Sequence, residues 1–298
     1  MLFNKSDSGE TISYQYEWKD KDDQLQSIAF ELDKEKIAAI PSSQAIYRPA
    51  LAQRHVTVSL LQAARNVDPK RAIIDVKQHQ DTVSVAIKSR DQQAIDSLNR
   101  EFTMLKEEAL ETYLHERYYM RYESPLRERV IKPDHIRYIN LSTEALIPLS
   151  QAFYETLGGQ SEARNYIDLL LGWLQNIPYS TLEDRSTSHG AGYSPPITVL
   201  AQNQGDCDSK AVVAAAVTRA FLPNTPMVMV FLRNHALLGI AMGTKTSDDT
   251  ITYNGVPYVL FDPTGPALLA LGEVSESTKV ALSSKQYTVE VIPKITGM

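Results

Sequence analysis

The sequence predicts an α+β protein in two parts: a smaller α/β unit over residues 1–130, and helices packed on an antiparallel sheet over residues 131–298. Three observations predict it. Apolar residues alternate at period two near both ends of the chain but recur at helical spacing in between. A charged stretch bracketed by Pro125 and Pro133 reads as an inter-domain linker. Asn254-Gly255, set between two apolar runs, is a strong hairpin signal in the second part.

Residues 11–18 place Ile12, Tyr14, Tyr16 and Trp18 on one face, the pattern of a half-buried strand. Residues 26–32 repeat it with Ile28, Phe30 and Leu32. The polar run at 4–10 before them reads as a tail. A proline-containing loop follows over 41–49, then a helix at 57–65, then strands at 72–76 and 82–88. A long helix is expected over 91–122, capped by Asp91, with Ile95, Leu98, Phe102, Leu105, Leu110 and Leu114 as its stripe. Such stripes make cores. His55, His79 and His115 are scattered without ligand spacing, and this first part shows no chemistry.

In the second part, residues 142–157 are helical, with Pro148 starting or kinking the helix and Gly158-Gly159 stopping it. Residues 161–177 form another apolar helix, ended by Pro178. The polar, Ser-, Gly- and Pro-rich segment 180–196 is expected to wall a cleft. Residues 227–232, 236–242, the hairpin arms within 251–261, and 287–292 read as strands.

Residues 203–221 are the centre of this part. A turn over Asn203, Gln204, Gly205 and Asp206 feeds Cys207, the single cysteine, into the first turn of an apolar helix. Unpaired N–H groups and the helix dipole there favour a thiolate, whereas Asp206 and Asp208 oppose it. His235 lies between two apolar runs and Asp262 ends a third. A thiol, an imidazole that takes its proton, and a carboxylate that orients the imidazole are the three parts of nucleophilic thiol catalysis. Taken singly, each has an ordinary structural role: a buried small side chain, a core histidine and a turn former.

Gly205-Asp206-Cys207-Asp208-Ser209-Lys210-Ala211, Asn234-His235-Ala236 and Phe261-Asp262-Pro263-Thr264-Gly265, in that order, resemble the transglutaminase-like superfamily of papain-type thiol enzymes. The bacterial transglutaminase-like cysteine proteinases are the most similar branch. Residues 177–180 and 192–200 resemble that family's lead-in, and the likeness covers residues 140–295. It implies a papain-like fold for the second part, with Cys207 as nucleophile, His235 as base and acid, and Asp262 as orienting carboxylate. The substrate would be a peptide or protein, with no cofactor. For the oxyanion, the backbone N–H of Cys207 is one expected donor and the Gln204 amide a weaker second. Tyr179 and Tyr193 either line the cleft or pack it. The alternative is a scaffold of the same fold that binds without turning over, and residues 1–130 would then dock a protein partner.

A net charge of −6 without a basic run argues against nucleic-acid binding. One cysteine excludes an internal disulfide and a multi-cysteine zinc site, and no metal site is expected. No apolar run is long enough to span a bilayer. As written the chain reads as cytoplasmic; it would be periplasmic if an export segment has been removed before Met1.

Overall fold

Alternation in the first forty residues produces a three-stranded antiparallel sheet: β1 (Leu2–Ser8), β2 (Thr11–Lys19) and β3 (Leu25–Asp33). The computed structural model describes residues 1–159, 162–182 and 192–294. Tyr14 faces Phe30 and Tyr16 faces Ile28 across β2 and β3. The run read as a polar tail is strand β1. It is a sheet edge, open to solvent along most of its length, so backbone pairing holds it and no apolar alternation marks it. Asp33 then caps the short helix α1 (Lys34–Ala38) by accepting from the amides of Glu35 and Lys36.

Next comes a helix–hairpin–helix: α2 (Pro49–Arg65), β4 (Ile73–His79), β5 (Thr82–Lys88) and α3 (Gln92–Glu116). Its core is Val56, Leu60, Val76, Val83, Leu98 and Phe102. Asp91 caps α3 as expected, accepting from the Gln93 amide. That helix stops at Glu116, short of the expected 122. Tyr118 takes a left-handed conformation at φ 58°, and the chain turns into strand β6 (Tyr119–Glu123), followed by β7 (Arg129–Pro133).

Helices α4 (His135–Ala145), α5 (Ile147–Thr156), α6 (Ala163–Asn176), α7 (Pro196–Gln202) and α8 (Cys207–Phe221) come next. Pro148 lies in the first turn of α5, where its missing N–H costs no hydrogen bond, so it starts that helix. The strands β8 (Met227–Leu232), β9 (His235–Ile240), β10 (Thr250–Tyr253) and β11 (Val256–Phe261) lead to helix α9 (Glu276–Ser283) and strand β12 (Thr288–Ile292). These strands form one antiparallel sheet in the order β10-β11-β9-β8-β12, with Asn254-Gly255 at the β10–β11 turn. Mixed helix with antiparallel sheet is the α+β class. Helix α8 packs against α4, α5, α6, α7 and β9, and residues 211–217 are wholly buried. Among the described residues no helix is long and apolar enough to cross a membrane.

The compact units are cut differently from a 1–130 and 131–298 division. One holds residues 1–44, 122–130 and 134–298; the other holds 45–121 and 131–133. Residues 125–133, read as a linker, are thus shared between them. The reason for the difference lies in the buried aromatic face of β2. Tyr16 meets Trp173 of α6 edge-on at 5.2 Å and donates its hydroxyl to the Leu200 carbonyl, while Asn176 donates to the Lys19 carbonyl. Alternation announces a strand but not what covers it.

Candidate functional site

Two loops and one helix end build the site. Asp206 takes extended backbone and caps α8, its carboxyl accepting from the Ser209 amide at 3.2 Å. Cys207 is therefore the first residue of α8 and is half-buried. His235 opens β9 just after the β8–β9 turn, paired with Leu232. On the neighbouring strand Phe261 faces Leu238. Asp262 directly follows the last residue of β11, so it leaves the sheet beside the strand that His235 opens.

That register makes a contact. His235 Nε2 lies 2.6 Å from an Asp262 carboxylate oxygen, and the other oxygen accepts from the Thr264 amide at 3.0 Å. Although burial alone would raise the Asp262 carboxyl, its bonds to His235 and Thr264 hold it below the usual range. Gly265 ends this turn at φ +67°, and a Cβ there would fall 2.1 Å from the Gln175 carbonyl, so only glycine fits.

The Cys207 sulfur receives the backbone amides of Ala236 and Asp208. It thus lies beside the residue that follows His235, but among the described residues it makes no hydrogen bond to the imidazole itself. Nε2 is the ring nitrogen that meets Asp262, so Nδ1 is the one that points away from this carboxylate. Burial first, then the charges of Asp208 and Asp206, push the thiol up to about 12. The dipole and amide donors that favour a thiolate lose to these terms.

Of the other nominated residues, Gln204 uses its amide nitrogen on the Gln202 side chain at 3.4 Å. Tyr179 is 50% exposed and lies where the chain bridges to Gly205. Tyr193 is buried, packed on His135 and Tyr138. Most of the expected cleft wall at 180–196 lies outside the described residues. A separate cavity of about 210 Å³ is lined by Trp18, Asp168, Leu169, Gly172, Gln175 and Leu268 among others, and the Gln175 amide in its wall donates to the Asp262 carbonyl at 2.7 Å.

Two buried groups beside the carboxylates and carbonyls of this site were not singled out from the sequence. His135, at the start of α4, is buried, and its Nε2 lies 3.0 Å from an Asp208 carboxylate oxygen. The two are 73 positions apart, too far for any spacing rule to join them. Lys210 is wholly buried in α8. Its signal was present but indirect: a lysine inside a helix apolar on every side must be paired.

Asp206 is pushed up to about 9, by burial first and then by the charge of Asp208. Between about pH 4 and pH 9 the unfolded chain has lost this proton and the folded chain keeps it. The native state then binds more protons, and stability falls as pH rises through that window. A single proton sets a slope of at most about 1.4 kcal/mol per pH unit. Asn also caps helices, so Asp206→Asn should preserve α8 and flatten this slope. Urea unfolding between pH 5 and pH 6.5, below the range where Lys210 titrates, measures it; equal slopes in the two proteins would refute the assignment.

Compared with family models, curated proteins and solved structures, the chain matches none.

Proposed function

We propose that the protein is a thiol-dependent amide hydrolase or acyltransferase of the transglutaminase-like type, acting on a peptide or protein through an acyl-enzyme on Cys207. The observation that carries this reading is the His235–Asp262 contact, together with the thiol sulfur accepting the backbone amide of Ala236, the residue after His235. His235 takes the thiol proton on Nδ1 as sulfur attacks the carbonyl carbon. Asp262 holds the ring and stabilises the imidazolium. The tetrahedral oxyanion is met by the Cys207 amide at the start of α8. On collapse the C–N bond breaks, the imidazolium gives its proton to the departing amine, and the thioester remains. Water or a second amine then attacks the thioester, His235 accepts its proton, and the thiol is restored.

The raised thiol bears on how proton transfer occurs. With Cys207 neutral at rest, His235 acts as a general base during attack rather than as the cation of a preformed ion pair. The same feature also favours a second reading, in which the domain is a recognition scaffold whose cysteine has no nucleophilic role.

Alkylation of Cys207 by iodoacetamide across pH 6–10, in wild type and His235→Ala, separates the two. The catalytic reading expects the wild-type thiol to react at least about tenfold faster near neutral pH than the variant. Identical profiles would mean a structural cysteine and would leave the scaffold reading standing. The single cysteine makes the label unambiguous.

A further inference from the structure

From Ser209 to Arg219 helix α8 is buried on every side, and Lys210 lies within that stretch. An ammonium there has lost its hydration and needs other partners. It has two: Lys210 Nζ donates to the Ile177 carbonyl at 2.6 Å and to the Thr264 carbonyl at 2.5 Å. Ile177 closes α6, and Thr264 belongs to the turn that carries Asp262. Lys210 is also three residues after Cys207, on the same side of the helix.

The charges facing this ammonium are those of the site. Asp262, Asp206 and Cys207 each favour its protonated form, while burial opposes it more strongly and brings it down to about 8. At neutral pH it is therefore mostly a cation. Asp206 and Asp208, the groups that oppose a thiolate at Cys207, come from the turn before α8 and from its first turn.

We propose that Lys210 is a positioning residue of the thiol site: it ties the Asp262 turn to the end of α6, and its buried positive charge offsets the carboxylates that crowd Cys207. The proposal rests on Cys207 being the reactive group, but it is read from the thiol itself and needs no substrate. A purely mechanical role and a charge role differ in outcome, because Gln175 ties the same turn without charge, donating to the carbonyls of Asp262 and Leu269.

The test is iodoacetamide alkylation from pH 6 to pH 10 in wild type, Lys210→Met, Lys210→Arg and Gln175→Leu, with thermal unfolding of each. Lys210→Met should slow alkylation at pH 8 at least about tenfold. Lys210→Arg should keep most of the rate, and Gln175→Leu should change it less than about threefold even where both glutamine and lysine variants lose stability. An unchanged rate in Lys210→Met, or an equal fall in Gln175→Leu, overturns the proposal. Should Lys210→Met not fold, wild type and Lys210→Arg decide the matter. The wild-type profile should bend near pH 8 as the lysine loses its proton, and the arginine variant, which does not titrate there, should lack the bend. Matching profiles would again overturn it. If His235→Ala leaves the thiol unaltered while Lys210→Met slows it, the catalytic reading fails and this one stands.

Discussion

Cys207→Ala should lose turnover of peptide amides and activated esters by about 10⁴-fold or more, because no other group can carry the acyl chain. Its stability should stay within about 1 kcal/mol of wild type, since the side chain is half-buried and the change removes one atom. The assay pairs a panel of fluorogenic peptide amides with mass spectrometry of the quenched protein. Wild type should carry an added acyl mass that the variant lacks. Turnover that survives in Cys207→Ala would remove the thiol from the mechanism, whatever His235 and Asp262 then do. The backbone amide at position 207 is retained in the variant, so residual oxyanion stabilisation is not what the comparison removes.

Asp208→Asn should act in the opposite direction and make the protein more reactive. The Asp208 charge is the largest cause after burial of the raised thiol. Losing it should speed alkylation at pH 7–8 by roughly tenfold. The gain is limited by coupling: after burial, the Asp208 charge is the next cause that keeps Asp206 protonated, so its loss makes Asp206 easier to ionise beside the sulfur. The double replacement Asp206→Asn/Asp208→Asn removes both charges and should exceed the single one, with asparagine still able to cap α8. His135→Gln serves as the control for the contact that Asp208→Asn disturbs. A thiol no faster in the double variant than in wild type would show that burial alone sets its state. A faster one would raise a question about why the pair is present.

What the sequence disclosed about this site follows from the reach of local rules. The start of helix α8 at Cys207, the Asn254-Gly255 hairpin, and the strand runs around His235 all depend on residues within a few positions of one another, and all form where expected. The pairing of His235 with Asp262 follows once two of those strands are neighbours. By contrast, β1 has no apolar alternation because it is an exposed edge, and α7 and α9 are each about two turns long, too short to show a helical period. The cover of the β2 aromatic face, the His135–Asp208 contact and the carbonyls held by Lys210 join positions dozens to more than a hundred residues apart. Nothing in a window of sequence encodes such partners. Lys210 is the instructive case: its oddness is visible in the sequence, but its purpose depends on where residues 177 and 264 end up.

At the far end of α8 a second buried cation repeats the arrangement. The Arg219 guanidinium gathers the carbonyls of Leu222, Pro223 and Thr225 with one nitrogen and that of Ile292, the last residue of β12, with another. These include carbonyls just past the helix end, where backbone acceptors lack helical donors. Helix α8 is thus riveted at both ends, by Lys210 near its first turn and by Arg219 in its last. A helix so fixed can neither slide along its axis nor fray. Cys207 thus opens a helix whose two ends are tied to the elements packed around it, through Ile177 and Thr264 at one end and Ile292 at the other.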